Sequence, residues 1–158
     1  MSFGIDYEYL VDSAMRILIY NILTSIEKHG LISKHHYHIG FNTTYDGVEI
    51  PGHLLAKYPQ EITIALQNQF KDLRVIGDYF SVKLTFHGIE ERLVVPFCAI
   101  TSFADPSENF MLKMQVDELG IYGGGKFHEM LNSHFAPKDI ELKEELEDNV
   151  INFMDIKK

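Results

Sequence analysis

The chain has 158 residues, 46% of them hydrophobic and 12% aromatic, enough apolar material for one packed domain and too much for wholesale disorder. Its formal net charge of −9 argues against nucleic acid or an anionic membrane surface as the main partner, because both are held through clustered Lys and Arg. The single cysteine, Cys98, excludes an internal disulfide and suits a reducing, cytosolic setting.

Residues 6 to 29, DYEYLVDSAMRILIYNILTSIEKH, read as one long helix. Asp6 stands at its N-cap, Lys28 and His29 complement the C-terminal end of its dipole, and Gly30 follows. Acidic Asp6, Glu8 and Asp12 stand where a secretory leader carries basic residues, and the polar residues within Leu10–Ile26 argue against a membrane span. Turned at about 100° per residue, its apolar side chains cover roughly two-thirds of the circumference, more than one sheet requires. Tyr9, Ser13, Arg16, Tyr20, Thr24 and Glu27 define the polar side. The excess apolar surface favours a helix that serves its own sheet on one face and a second subunit on another, over a helix sunk in its own domain.

From His36 the period changes to two. HYHIGFN places Tyr37, Ile39 and Phe41 on one side; YDG turns the chain, VEIP extends it, and GHLLAKYP reads as a short helical turn closed by Pro59. EITIALQN alternates with Ile62, Ile64 and Leu66 together. After QFKDLRVIGD, the run YFSVKLTFHG is the clearest strand, with Phe80, Val82, Leu84 and Phe86 on one face. A turn at His87 and Gly88 leads into EERLVVPF, AITSFADPS and FMLKM. Six or seven short strands behind a helix predict a mainly β, α+β domain: a small antiparallel sandwich or partly open barrel.

Beyond Met114 the character shifts. The first 114 residues carry 13 acidic and 9 basic side chains, the remaining 44 carry 10 and 5, so over half the net charge lies in the last part. GIYGGGK is too glycine-rich for an element interior, and DIELKEELED is either a solvated helix or a spacer. The predicted organisation is a domain over 1–114, an acidic linker over 115–149, and an apolar tip over 150–158.

Catalytic constellations are sparse. GxSxG, P-loop and GxGxxG patterns are absent, Glu90 and Glu91 are neighbours that a strand sends to opposite faces, and Cys98 has no recognisable base. The HHYH run raises one enzyme reading, a metal-assisted hydrolase built on His36, His38 and Asp46. It has neither an HExxH helix nor a CxxC pair beside it, so no catalytic residue, cofactor or resident metal is assigned. A small-barrel RNA-binding protein is the other alternative, opposed by the acidity. Gln67, Asn68 and Gln69 stand out instead: successive amide side chains at a strand end suit an extended peptide, whose backbone needs matching donors and acceptors.

The segments HLLAKYPQEITIALQNQFKDLRV, YFSVKLTFHGIEERLVVPFCAITSFADPSENF and VINFMDIKK together resemble the stringent starvation protein B (SspB) family in its alpha-type branch. The likeness covers residues 6 to about 112 and the last nine. It implies an Sm-like small barrel or sandwich that dimerises through the N-terminal helix. It also implies a flexible C-terminal tail, and an adaptor that binds the ssrA tag and hands tagged proteins to the ClpXP protease. Carried over, the tag groove falls on Gln67, with Asn68, Gln69 and Phe70 shaping it and Ser81 and Lys83 contributing from the next strand. The motif that docks on the ClpX N-terminal domain falls on Val150, Ile151, Asn152 and Phe153, then Ile156, Lys157 and Lys158. Met154 and Asp155 depart from the family's Leu-Asp-like order. The dimer interface is expected at Ala14, Ile17, Leu18, Ile19 and Ile22. As a coil, the spacer between body and tip would span on the order of 30–35 Å. Burying each large apolar side chain of the tip stabilises docking by about 1.5–3 kcal/mol. Ordering the tip costs about 1–2 kcal/mol per residue, so one tail should bind weakly and two should act through effective concentration.

Overall fold

A computed structural model of the chain describes residues 7–31, 35–67 and 70–117. Helix α1 runs over Tyr7–His29 and ends where Gly30, at φ +76°, takes the left-handed conformation that closes helices most cheaply. The Gly30 N–H still donates to the Ile26 carbonyl at 2.7 Å. Strand β1 covers Tyr37–Asn42 and helix α2 Gly52–Lys57. Then come β2 (Glu61–Leu66), β3 (Lys71–Ile76), β4 (Tyr79–Phe86) and β5 (Ile89–Pro96). A single 3-10 turn at Phe97–Ala99 leads to β6 (Ile100–Asp105), and another at Pro106–Glu108 leads to β7 (Phe110–Lys113).

The strands form two antiparallel sheets, β2-β1-β6-β7 and β3-β4-β5. The expected mainly β, α+β architecture is therefore present, open rather than closed into a barrel. Alternation drives the pairing. Ile39 and Phe41 of β1 face Ile64 and Ile62 of β2 in register, and all four are buried. The β4–β5 hairpin is built on His87 and Gly88, both at positive φ, the geometry whose twist matches the flanking strands. A bridge between Glu49 and Val94, with both backbone hydrogen bonds at 2.9 Å, adds a short extended piece beside β5.

Both sheets and the inner face of α1 share one core, in which Ile19, Leu23, Phe41, Phe80, Leu93, Phe97 and Phe103 are fully buried. Gly40 in β1 permits the close approach of β6: a Cβ there would lie 2.2 Å from Ser102 Oγ. The connection QFKDLRVIGD contains a strand that alternation alone does not reveal. In β3 only Leu73 is buried and Val75 half-buried, because Asp72 at φ +49° interrupts the pairing with β4. Among the described residues no helix is long and apolar enough to cross a membrane.

The polar side of α1 is the second departure. Ser13 and Arg16 are buried against the body, whereas Tyr7, Leu10, Val11 and Leu18 are exposed, as is Ala14. Ile17 and Ile19, expected at an interface with a second subunit, are instead buried in the chain's own core. Ile19 lies on the sheet side because it falls four residues before Leu23 on the same helical face. Ile22 is half-buried.

Candidate functional site

Among the described residues strand β2 pairs only with β1, which leaves its outer edge open there. The chain leaves β2 through a tight turn in which the Phe70 N–H donates to the Gln67 carbonyl at 3.1 Å. Strand β3 then begins at Lys71, opposite Lys83 of β4. Beyond that point Leu84, Thr85 and Phe86 pair with β5 on one side, and the other side is open. The two open edges face one cleft of about 230 Å³, lined by Thr63–Ala65 of β2, by Gln67 and Phe70, and by Leu84–Phe86 of β4. Its floor is apolar: Ile64 and Leu84 are buried, Phe70 and Phe86 half-buried. Gln67 is exposed at the rim. A single extended chain fits this chemistry, its backbone meeting strand edges and an apolar side chain filling the floor.

The expected groove residues separate on this surface. Gln67 and Phe70 line the cleft; Asn68 and Gln69 lie outside the described residues. Ser81 and Lys83 are not in the lining. The Ser81 hydroxyl is buried and accepts from Arg92 Nη1 at 2.9 Å. Lys83 stands between Lys71 and Arg92 in register, a row of like charges that disfavours pairing unless balanced. Asp72 and Glu90 balance it: Lys71 meets Glu90 at 3.2 Å, and Asp72 binds both Arg74, at 3.0 Å, and Arg92. The bonds from Arg74 and Arg92 hold the exposed Asp72 carboxyl below its ordinary range. The cations come together through strand register, which residue order hides.

A second polar centre was not legible as such. The Arg16 guanidinium donates from Nε to the Phe97 carbonyl at 2.9 Å and from Nη2 to those of Cys98 and Ile100 at 3.3 and 3.0 Å, and also to Gln115 O. Asp117, nearly inaccessible, accepts from the Tyr9 hydroxyl on both carboxylate oxygens at 3.0 and 3.1 Å. Its N–H donates to Cys98 O at 2.9 Å, and its carbonyl accepts from the Tyr45 hydroxyl at 2.7 Å. Gln115 N–H donates to Asp12 Oδ2 at 3.1 Å. The body thus continues at least to Asp117, three residues into the segment that charge and composition mark as linker. Burial pulls the Arg16 pKa down, opposed by the nearby Asp117 and Asp12 carboxylates.

Burial, helped by Asp117, pushes the Cys98 thiol up to about 11. Its Sγ–H points at Asp117 Oδ2 at 3.6 Å. A covered, protonated thiol is a poor nucleophile. At mildly alkaline pH, iodoacetamide should therefore label the native chain far more slowly than the urea-unfolded chain, and faster as the pH nears that value. Equal native and unfolded rates would mean that Asp117 does not cover the sulfur.

The histidines do not converge. His36 and His38 sit with ring centroids 5.3 Å apart, His35 Nδ1 meets Asp105 Oδ2 at 2.8 Å, and His53 meets Glu91 at 2.6 Å. Among the described residues no group of three or more His, Cys, Asp or Glu is placed to hold a metal ion, so the hydrolase reading from His36, His38 and Asp46 lacks a donor set. The docking positions Val150, Ile151, Asn152, Phe153, Ile156, Lys157 and Lys158 lie outside the described residues.

A family model described as stringent starvation protein B matches residues 9–133, from the first turn of α1 to beyond the last described residue. No curated protein matches the chain.

Proposed function

The chain belongs to the stringent starvation protein B family, a family of ClpXP adaptors rather than enzymes, and on that premise we propose that it binds ssrA-tagged polypeptides and delivers them to ClpXP. The tag lies in the cleft between β2 and the free end of β4, with Gln67 meeting its backbone and Phe70 its apolar side chains. The observation that carries this reading is the pair of open strand edges facing one apolar floor, with Gln67 at its rim. Delivery runs through the C-terminal residues Val150, Ile151, Asn152, Phe153, Ile156, Lys157 and Lys158, which dock on the ClpX N-terminal domain.

Titration with a fluorescent ssrA peptide tests the cleft. Gln67→Ala should weaken binding about five- to tenfold, the loss of one or two hydrogen bonds, with the thermal melt unchanged. Full-strength binding by the variant would place the tag elsewhere.

Self-association belongs to the same proposal and uses the outward face of α1. Leu10, Ala14 and Leu18 recur every four residues, with Val11 three before Ala14 and seven before Leu18, so they form one apolar stripe, and all four are exposed. Leu18→Glu should give monomers in sedimentation while the chain stays folded, since that side chain touches solvent. A dimer that survives the charge would move the interface off this helix.

A further inference from the structure

The two faces of the first turns of α1 do different work. At about 100° per residue, Tyr9, Asp12, Ser13 and Arg16 point roughly opposite to Leu10, Ala14 and Leu18. The large apolar residues that bury α1 in the core (Ile17, Ile19, Leu23 and Ile26) begin only near its middle. The earlier turns are held chiefly by polar bonds, and several of these end on one short stretch after β7. Tyr9 donates to Asp117, Asp12 accepts from the Gln115 N–H, and Arg16 donates to Gln115 O. Tyr45 donates to Asp117 O from the far side. At the end of the stretch Asp117 is buried and its N–H also donates to Cys98 O, while Gln115 is exposed and Val116 half-buried, so the bonds from α1 are what hold its first residue.

We infer that Gln115–Asp117 is a strap fastened to the back of the self-association helix, so that pairing of two helices and seating of the strap strengthen one another. A helix end frays when its first turns lack partners. A second copy packed on Leu10, Ala14 and Leu18 holds those turns from outside, which keeps Tyr9, Asp12 and Arg16 in place to hold the strap from inside. By linkage the effect is reciprocal: a loosened strap weakens self-association by the same factor. The inference rests on the self-association proposed above and makes no use of tag binding.

Hydrogen–deuterium exchange on the full chain tests it, read on the amides of residues 115–117 as concentration crosses the monomer–dimer range defined by sedimentation. Exchange at the Asp117 amide, which is bonded to Cys98 O, should slow about fivefold or more in the dimer. Tyr9→Phe, which removes only the hydroxyl, should speed that exchange and weaken dimerisation by a similar factor; Asp117→Asn should do the same. Equal exchange in monomer and dimer overturns the inference, as does a variant with a loosened strap and undiminished dimerisation. A chain that is monomeric at every concentration overturns it too, and then the failure lies in the self-association reading, because titration with the tag peptide proceeds regardless.

Discussion

Arg16→Leu is expected to lower the stability of the folded chain by about 3–5 kcal/mol, the range for removing one member of a buried polar cluster. Leucine occupies much of the same volume and has a higher affinity for an apolar interior, so a purely hydrophobic ledger predicts a gain. The opposite sign follows from what the guanidinium holds. The carbonyls of Phe97, Cys98, Ile100 and Gln115 all converge on it, tying the turn between β5 and β6 and the stretch after β7 to the helix. Leucine would leave those acceptors and the Asp117 carboxylate without their cation. Arg16→Lys should recover little, since one ammonium cannot span four acceptors in the plane of a fork. Urea denaturation read by circular dichroism measures both variants, and a midpoint for Arg16→Leu equal to the parent's would mean that the carbonyls find other donors.

The second large effect is functional. Removing residues 150–158 should abolish the acceleration of tagged-substrate degradation by ClpXP while leaving the dissociation constant for the ssrA peptide unchanged. The separation follows from distance along the chain. The cleft is built by residues 63–86, and its supporting core draws on no described residue beyond Met114. A tip bearing Val150, Ile151, Phe153 and Ile156 recovers little free energy from one docking event once its own ordering is counted. Two tips on a dimer convert the second contact into an intramolecular one. Leu18→Glu should accordingly reduce delivery at limiting protease without altering tag binding by each subunit. Loss of tag binding on truncation would mean instead that the tip is part of the folded body.

Much of this architecture was legible because period and punctuation agreed. The helix reads from Asp6 to His29 and is found at Tyr7–His29, ended by the glycine expected to end it. EITIAL and YFSVKLTF alternate strictly, and the structure buries Ile62, Ile64, Leu66, Phe80, Val82 and Leu84 as alternation selects, leaving Phe86 half-buried and burying Ser81 as well. Strand β3 escaped because Asp72 breaks its alternation with a left-handed residue, leaving too few apolar positions to establish a period. The inner face of α1 escaped for another reason. A sequence reader assigns arginine to solvent, and nothing along the helix announces that carbonyls some eighty residues away converge on its guanidinium. Gln67 and Phe70 were reachable as a polar strand end followed by an aromatic, with Thr63 and Ala65 on the same face of the strand by alternation, yet Leu84, Thr85 and Phe86 join them only across the gap between two sheets. Ser81 and Lys83 share a strand with part of the cleft wall, but strand position alone does not say which neighbours a side chain will face.

Open edges carry a hazard of their own, since an unpaired strand is a template for any other strand, including another protein's whole sheet. Here the edge of β2 is recessed beside Phe70 and the last residues of β4. If the cleft takes the extended chain proposed above, the indentation acts as a gauge, admitting polypeptide ends that have no partner strands and turning away broad, already paired sheets.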